Sequence, residues 1–215
     1  MIRRVLSGAS LLAVVMGGMV FAQGGVAGAA TPVTLSGTIT CGVTGTLKFG
    51  PALVNGGTTA DTVSVTADLL GCSGPGASGG GVTLSGGKLS ATASSTIDNN
   101  CGAVFNGSSL PALTGGVTWK GSGGTIDASS ISINGASALY DPNGDNGGGV
   151  FDVSLPTSVT AGSYNGESGT PSGLTSDKRG GRIDAKCGRK GVKSIAVGKR
   201  RGDVVTGSVT IQAGS

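Results

Sequence analysis

Glycine fills 44 of the 215 positions and returns so often along the chain that no long helix can form between its occurrences. Each glycine inside a helix costs about 1 kcal/mol relative to alanine. The residues between the glycines are mostly Val, Ile, Leu, Thr and Ser in short runs, which suit strands and tight turns. Disorder is the rival outcome for a chain so poor in bulky side chains. It is disfavoured because the aliphatic residues recur with strand period and charged residues make up only 12% of the chain.

That period is plain in Thr62-Val63-Ser64-Val65-Thr66-Ala67-Asp68-Leu69, where Val63, Val65, Ala67 and Leu69 fall on one face. Comparable runs span residues 33–41, 46–49, 82–84, 88–93, 116–120, 125–133, 150–155, 193–197 and 204–211. Turn chemistry separates them, as at Asn55-Gly56-Gly57, Ser73-Gly74-Pro75-Gly76, Ser85-Gly86-Gly87 and Gly121-Ser122-Gly123-Gly124. Roughly ten short strands at this spacing suggest a sandwich or a barrel. The expected architecture is all-β, an antiparallel β-sandwich of Ig-like or jelly-roll-like kind.

The first thirty residues have the layout of a signal peptide. Met1-Ile2-Arg3-Arg4 is basic, Val5 to Phe21 is apolar or small, and Ala27-Gly28-Ala29 offers a cleavage site. Cleavage is expected before Ala30, with a cut after Ala22 as the competitor, leaving 30–215 as a single domain. An uncleaved anchor is disfavoured because Ser7, Gly8, Ser10 and Gly17-Gly18 interrupt the apolar run. The expected location is outside the cell, free or associated with the wall.

The cysteine count agrees with export. Cys41, Cys72, Cys101 and Cys187 form an even set with no C-x-x-C pair, so disulfides are expected in place of metal or redox chemistry. Of the three connectivities, Cys41–Cys72 with Cys101–Cys187 is favoured: the first pair flanks one compact β segment, and the second ties the end of the chain to its middle.

Charge divides the chain unevenly. Residues 30–176 carry three lysines against eight acids, while 177–215 carry ten Lys/Arg against three. The cations are Lys178, Arg179, Arg182, Lys186, Arg189, Lys190, Lys193, Lys199, Arg200 and Arg201. Such a segment attracts an anionic wall polymer or acidic polysaccharide, with steep salt dependence. No aromatic residue is interleaved on which a base could stack, so nucleic acid is disfavoured. The alternative is a solvated face whose charge balances the acidic body.

A second candidate lies at Asp141-Pro142-Asn143-Gly144-Asp145, continuing to Asp152. Oxygen donors at Asp141, Asn143, Asp145 and Asp152 echo the spacing of a calcium loop, making calcium the one cofactor the sequence suggests. Against this, Asn146 stands where the tight turn wants glycine, and Pro-Asn-Gly-Asp is also ordinary hairpin-turn chemistry. Catalysis has little to draw on. Without histidine there is no Ser-His-Asp triad, and the single glutamate, Glu167, sits in a loop-like stretch where solvation is the simpler expectation. Trp119, Tyr140 and Tyr164 are the candidate sugar platforms of a carbohydrate-binding module. Trp119 shares the face of Val117, however, and reads as a core anchor.

The string Cys41-Gly42-Val43-Thr44-Gly45-Thr46-Leu47-Lys48-Phe49 with Pro51 and Leu53, then Gly71-Cys72-Ser73-Gly74, Cys101 and Val117-Thr118-Trp119, resembles a group of uncharacterised secreted actinobacterial proteins in which a leader precedes a four-cysteine β domain. The resemblance implies export and a β-sandwich, and no activity. The stretch Lys178 to Arg201 departs from that group. The expected function is therefore a non-catalytic secreted or wall-associated protein, with a calcium- or carbohydrate-binding module as the alternative.

Overall fold

The computed structural model describes residues 31–141, 149–177, 186–197 and 207–213. Strand alternation decides where the apolar residues go, and the longest strands form where it is sustained. These are β1 (Ile39–Leu53), β2 (Ala60–Ser73) and β4 (Val82–Ala93). Between β2 and β4 lie a single 3-10 turn, Pro75–Ala77, and the short β3 (Ser78–Gly79). The chain continues through β5 (Ile97–Asp98), helix α1 (Cys101–Phe105), β6 (Asn106–Ser109), β7 (Leu113–Ser122) and β8 (Ser129–Ile133). Then follow β9 (Ser137–Asp141), β10 (Gly149–Ser154), β11 (Thr157–Ala161), β12 (Glu167–Gly169), β13 (Ser172–Asp177), β14 (Val192–Val197) and β15 (Gly207–Ala213).

The all-β expectation holds; the sandwich does not. Strands β1, β2, β4, β7, β8, β11, β12 and β15 pair in chain order, each antiparallel to the next, and β15 returns to pair with β1, closing an eight-stranded barrel. Closure works because the inward residues match across the seam: Ile39 stands opposite Ile211 and Cys41 opposite Val209. A closed barrel leaves no free edge along its wall, which two stacked open sheets cannot achieve.

One expected turn proves to be strand. Ser85-Gly86-Gly87 lies within β4, where a register shift between Leu84 and Gly86 marks a bulge. A β-carbon at Gly86 would stand 2.4 Å from the Leu69 carbonyl oxygen, and one at Gly87 would stand 3.0 Å from the Trp119 ring. These glycines serve close packing, not chain reversal.

In an antiparallel meander, successive connections alternate between the two barrel ends. The β1–β2 turn and the three long excursions therefore all leave from the same end: β5-α1-β6 between β4 and β7, β9–β10 between β8 and β11, and β13–β14 between β12 and β15. Beyond the barrel, β6, β9, β10 and β13 pair in that order into an annex. Strand β14 pairs with Gly45 to Leu53 of β1, while β15 pairs with Ile39 to Val43, so the two lie end to end along one edge of β1.

Trp119, Leu69, Leu89, Val117, Ile131 and Val159 fill the barrel interior, leaving an apolar cavity of about 20 Å³. The interior is thus a packed core and not a ligand chamber of the kind wider or emptier barrels enclose. Toward the annex, Phe49 meets Phe105 edge-on at 6.3 Å. The disulfides are Cys41–Cys72, bridging neighbouring strands β1 and β2, and Cys101–Cys187, bridging α1 to the residues before β14. These are the pairs the sequence favoured.

Candidate functional site

Residues 186–191 of the basic segment sit at the excursion end of the barrel. Lys186 and Cys187 are helical, and the Lys186 carbonyl accepts backbone N–H bonds from Arg189, Lys190 and Gly191 at 3.1, 3.0 and 2.6 Å. That closes a tight turn. Gly191 completes it at φ +71°, packed so closely that a β-carbon would lie 2.7 Å from the Ala52 side chain. The turn is fixed twice more, by the Cys101–Cys187 disulfide and by the Asn55 amide donating to the Cys187 carbonyl at 3.1 Å.

Cys187 points inward, while Lys186, Arg189 and Lys190 are all exposed. Along β14, the register shifts between the Lys48/Ser194 pair and the Leu53/Val192 pair, and this irregularity leaves Lys193 and Ser194 both exposed. Lys48, opposite Ser194 on β1, is exposed as well. Lys186, Arg189 and Lys190 are thus exposed on a disulfide-held turn, and Lys193 and Lys48 are exposed on the paired strands β14 and β1. Lys178, Arg179, Arg182, Lys199, Arg200 and Arg201 lie outside the described residues.

Of the calcium candidates, Asn143 and Asp145 lie outside the described residues. Asp141 ends β9 opposite Val150, and Asp152 is exposed on β10 opposite Leu139, so the stretch between them joins a hairpin. Among the described residues, no three His, Cys, Asp or Glu side chains converge as a metal site.

No protein-family model, curated protein or solved structure matches this chain. The functional reading accordingly rests on its own side chains.

Two aromatic candidates are withdrawn from the surface. Trp119 is 6% exposed and Tyr164 fully buried, so neither can serve as a sugar platform. The Trp119 indole N–H donates to Ser129 Oγ at 2.8 Å, that hydroxyl donates to the Ser163 carbonyl, and the ring meets Tyr164 edge-on at 5.1 Å. The Tyr164 hydroxyl donates to the Gly76 carbonyl at 2.9 Å, pinning the Pro75–Ala77 turn across the end of the barrel opposite the annex. Tyr140 is half-buried against the core.

Glu167 corrects the sequence expectation. It is buried on β12, with Oε1 accepting the Gly37 amide at 2.6 Å and Oε2 without a partner among the described residues. Burial, with the Glu167 charge beside it, pushes the Tyr164 hydroxyl up to about 12. Together with the Leu35 amide donating to Ser163 Oγ and the Tyr164 amide donating to the Leu35 carbonyl, the bond from Gly37 to Glu167 ties residues 35–37 to the barrel end opposite the annex.

Asp61 was missed altogether. It is fully buried, Oδ1 accepts the Gly50 amide at 2.6 Å, and Oδ2 has no partner among the described residues. Burial raises its carboxyl above the ordinary value. The signal was present: Asp61 continues backward the inward series of Val63 and Val65.

Proposed function

We propose that this chain is exported and acts outside the cell as a non-catalytic barrel, associated with the wall and holding an anionic wall polymer or acidic polysaccharide on its basic flank. The observation that carries this reading is the set Lys186, Arg189, Lys190 and Lys193, all exposed on a turn and strand held by a disulfide. Cations on a fixed frame need little ordering to meet a row of phosphates or carboxylates, which lowers the entropic cost of association. Export is supported by the leader-like first thirty residues and by both disulfides. Among the described residues, no helix is long and apolar enough to cross a membrane.

The test is salt elution of the purified protein from heparin and from immobilised teichoic acid. Retention is expected to fall steeply with salt, and replacing these four cations with alanine is expected to flatten that dependence. Elution of the unmodified protein at very low salt, or unchanged retention of the variant, contradicts the reading.

The β9–β10 hairpin favours a second reading. It sets Asp141 and Asp152 two register positions apart, and Asn143 and Asp145 follow Asp141 in the sequence, so calcium is the cation these oxygen donors would take. Calcium calorimetry with and without chelator checks it. Absence of heat together with an unchanged melting temperature removes it.

A further inference from the structure

The outer wall of the barrel has a cleft of about 320 Å³ where β1, β2 and β4 run side by side. Its position follows from the seam. Val197 ends β14 opposite Gly45 and Gly207 begins β15 opposite Val43, so Thr44 marks the point where β1 passes from one partner strand to the other. Thr44 is only 8% exposed, lines the cleft, and has no hydrogen-bond partner for its hydroxyl among the described residues. Directly across the ladder, Thr44 faces Asp68, and Asp68 faces Lys88. In the adjacent register, Thr46 faces Thr66, which faces Ser90.

Asp68 and Lys88 are register partners of opposite charge, yet among the described residues they close no ion pair. Both are exposed. From these residues we infer that the cleft binds one hexose unit of a neutral glycan. The Asp68 carboxylate accepts from sugar hydroxyls, the Lys88 ammonium donates to hydroxyl or ring oxygens, and the Thr44, Thr46, Thr66 and Ser90 hydroxyls do either. Among the described residues lining the cleft, Asp68 and Lys88 carry one charge of each sign, so an ion of either sign meets a repelling partner as well as an attracting one. The cleft is open along the wall, which suits a unit within a polymer better than a free small molecule requiring enclosure. Its volume, near the lower end of the roughly 300–1,000 Å³ of small-ligand sites, fits a single ring. Without an aromatic platform, binding is weak per unit and gains from chain length.

Titration of the isotopically labelled full chain with cellotetraose, mannotetraose or the tetramer of N-acetylglucosamine, followed by amide shifts, tests the assignment. At least one of these probes is expected to give saturable shifts at millimolar concentration, centred on 44–46, 66–68 and 88–90. Asp68→Asn and Lys88→Met should each weaken it about tenfold or more, and Lys120→Met on the outer face of β7 should not. Free serine, a zwitterion, is the second arm: binding of serine in the cleft without any glycan shift overturns the glycan assignment. Absence of saturable shifts with all three probes, or shifts centred elsewhere, overturns the site. Because the probes are uncharged, either result stands apart from the outcome of the heparin experiment.

Discussion

Tyr164 and Asp61 are buried groups whose raised values each make a contribution to stability depend on pH. The native protein holds the Tyr164 proton more tightly than the unfolded chain, for which 10.0 is the ordinary value. Its stabilising contribution is therefore complete below pH 10 and lost as pH rises through about 12. Ultraviolet titration of the folded protein should reveal a tyrosine ionising near 12, and Tyr164→Phe should remove that step. The same variant should cost about 1–3 kcal/mol by leaving the Gly76 carbonyl unpaired, measurable by urea unfolding. Asp61 carries the same sign in acid. With its folded value raised above 3.8, the neutral form is favoured, and stability is lost as pH rises through that raised value. Melting of Asp61→Asn across pH 3 to 7 should therefore change less than that of the unmodified chain. Trp119 supplies the bulk at the barrel centre. Trp119→Ala should cost about 3–5 kcal/mol, and the native indole should emit as a buried group shielded from iodide.

Among the elements, the two disulfides act at different places. Cys41–Cys72 joins neighbouring strands of the wall across a separation of 31 residues, whereas Cys101–Cys187 spans 86 and holds the basic turn to the annex. Loop entropy assigns the longer closure about 4–5 kcal/mol. Replacing Cys101 and Cys187 together with serine should loosen amides of α1 and the 186–191 turn while the β1–β2 ladder keeps its hydrogen-exchange protection. Polyanion retention should fall in parallel. This is also the scale at which the sequence was most legible. The strands around Val63 and Val65, around Val117 and Trp119, and around Val209 and Ile211 announced themselves by alternation, and the cysteine pairing favoured among three, on the segments each pair would enclose, is the one formed. Three failures have physical causes. Ser85-Gly86-Gly87 has turn composition, yet Gly86 and Gly87 stay extended because they pair with both β2 and β7, and they are glycine because a β-carbon would crowd the Leu69 carbonyl and the Trp119 ring. Strands β6, β12 and β13 are so rich in Gly, Ser and Thr that their pairing is dictated by neighbours and not by an apolar face. Glu167 was misplaced for the same reason, since no aliphatic residue beside it reported which way the strand faced.

For the whole molecule, alternation tells which face of a strand is buried and stays silent about its partner, so a barrel and a sandwich look alike in sequence. Partnering is settled by the return of β15 to β1, and the consequences reach function. Closure makes the interior a core and sends every long excursion to the end that carries the basic turn, so the binding surfaces proposed above lie on the outer wall and at that end. The measurement that bears most directly on this is a nuclear Overhauser map of the labelled protein. Closure predicts cross-strand contacts between Cys41 and Val209 and between Ile39 and Ile211, together with contacts between Ser168 and Gln212 on the opposite edge of β15. A β15 in contact with β12 alone, leaving the Ile39–Val43 edge of β1 unpaired, would contradict the barrel and every placement that depends on it.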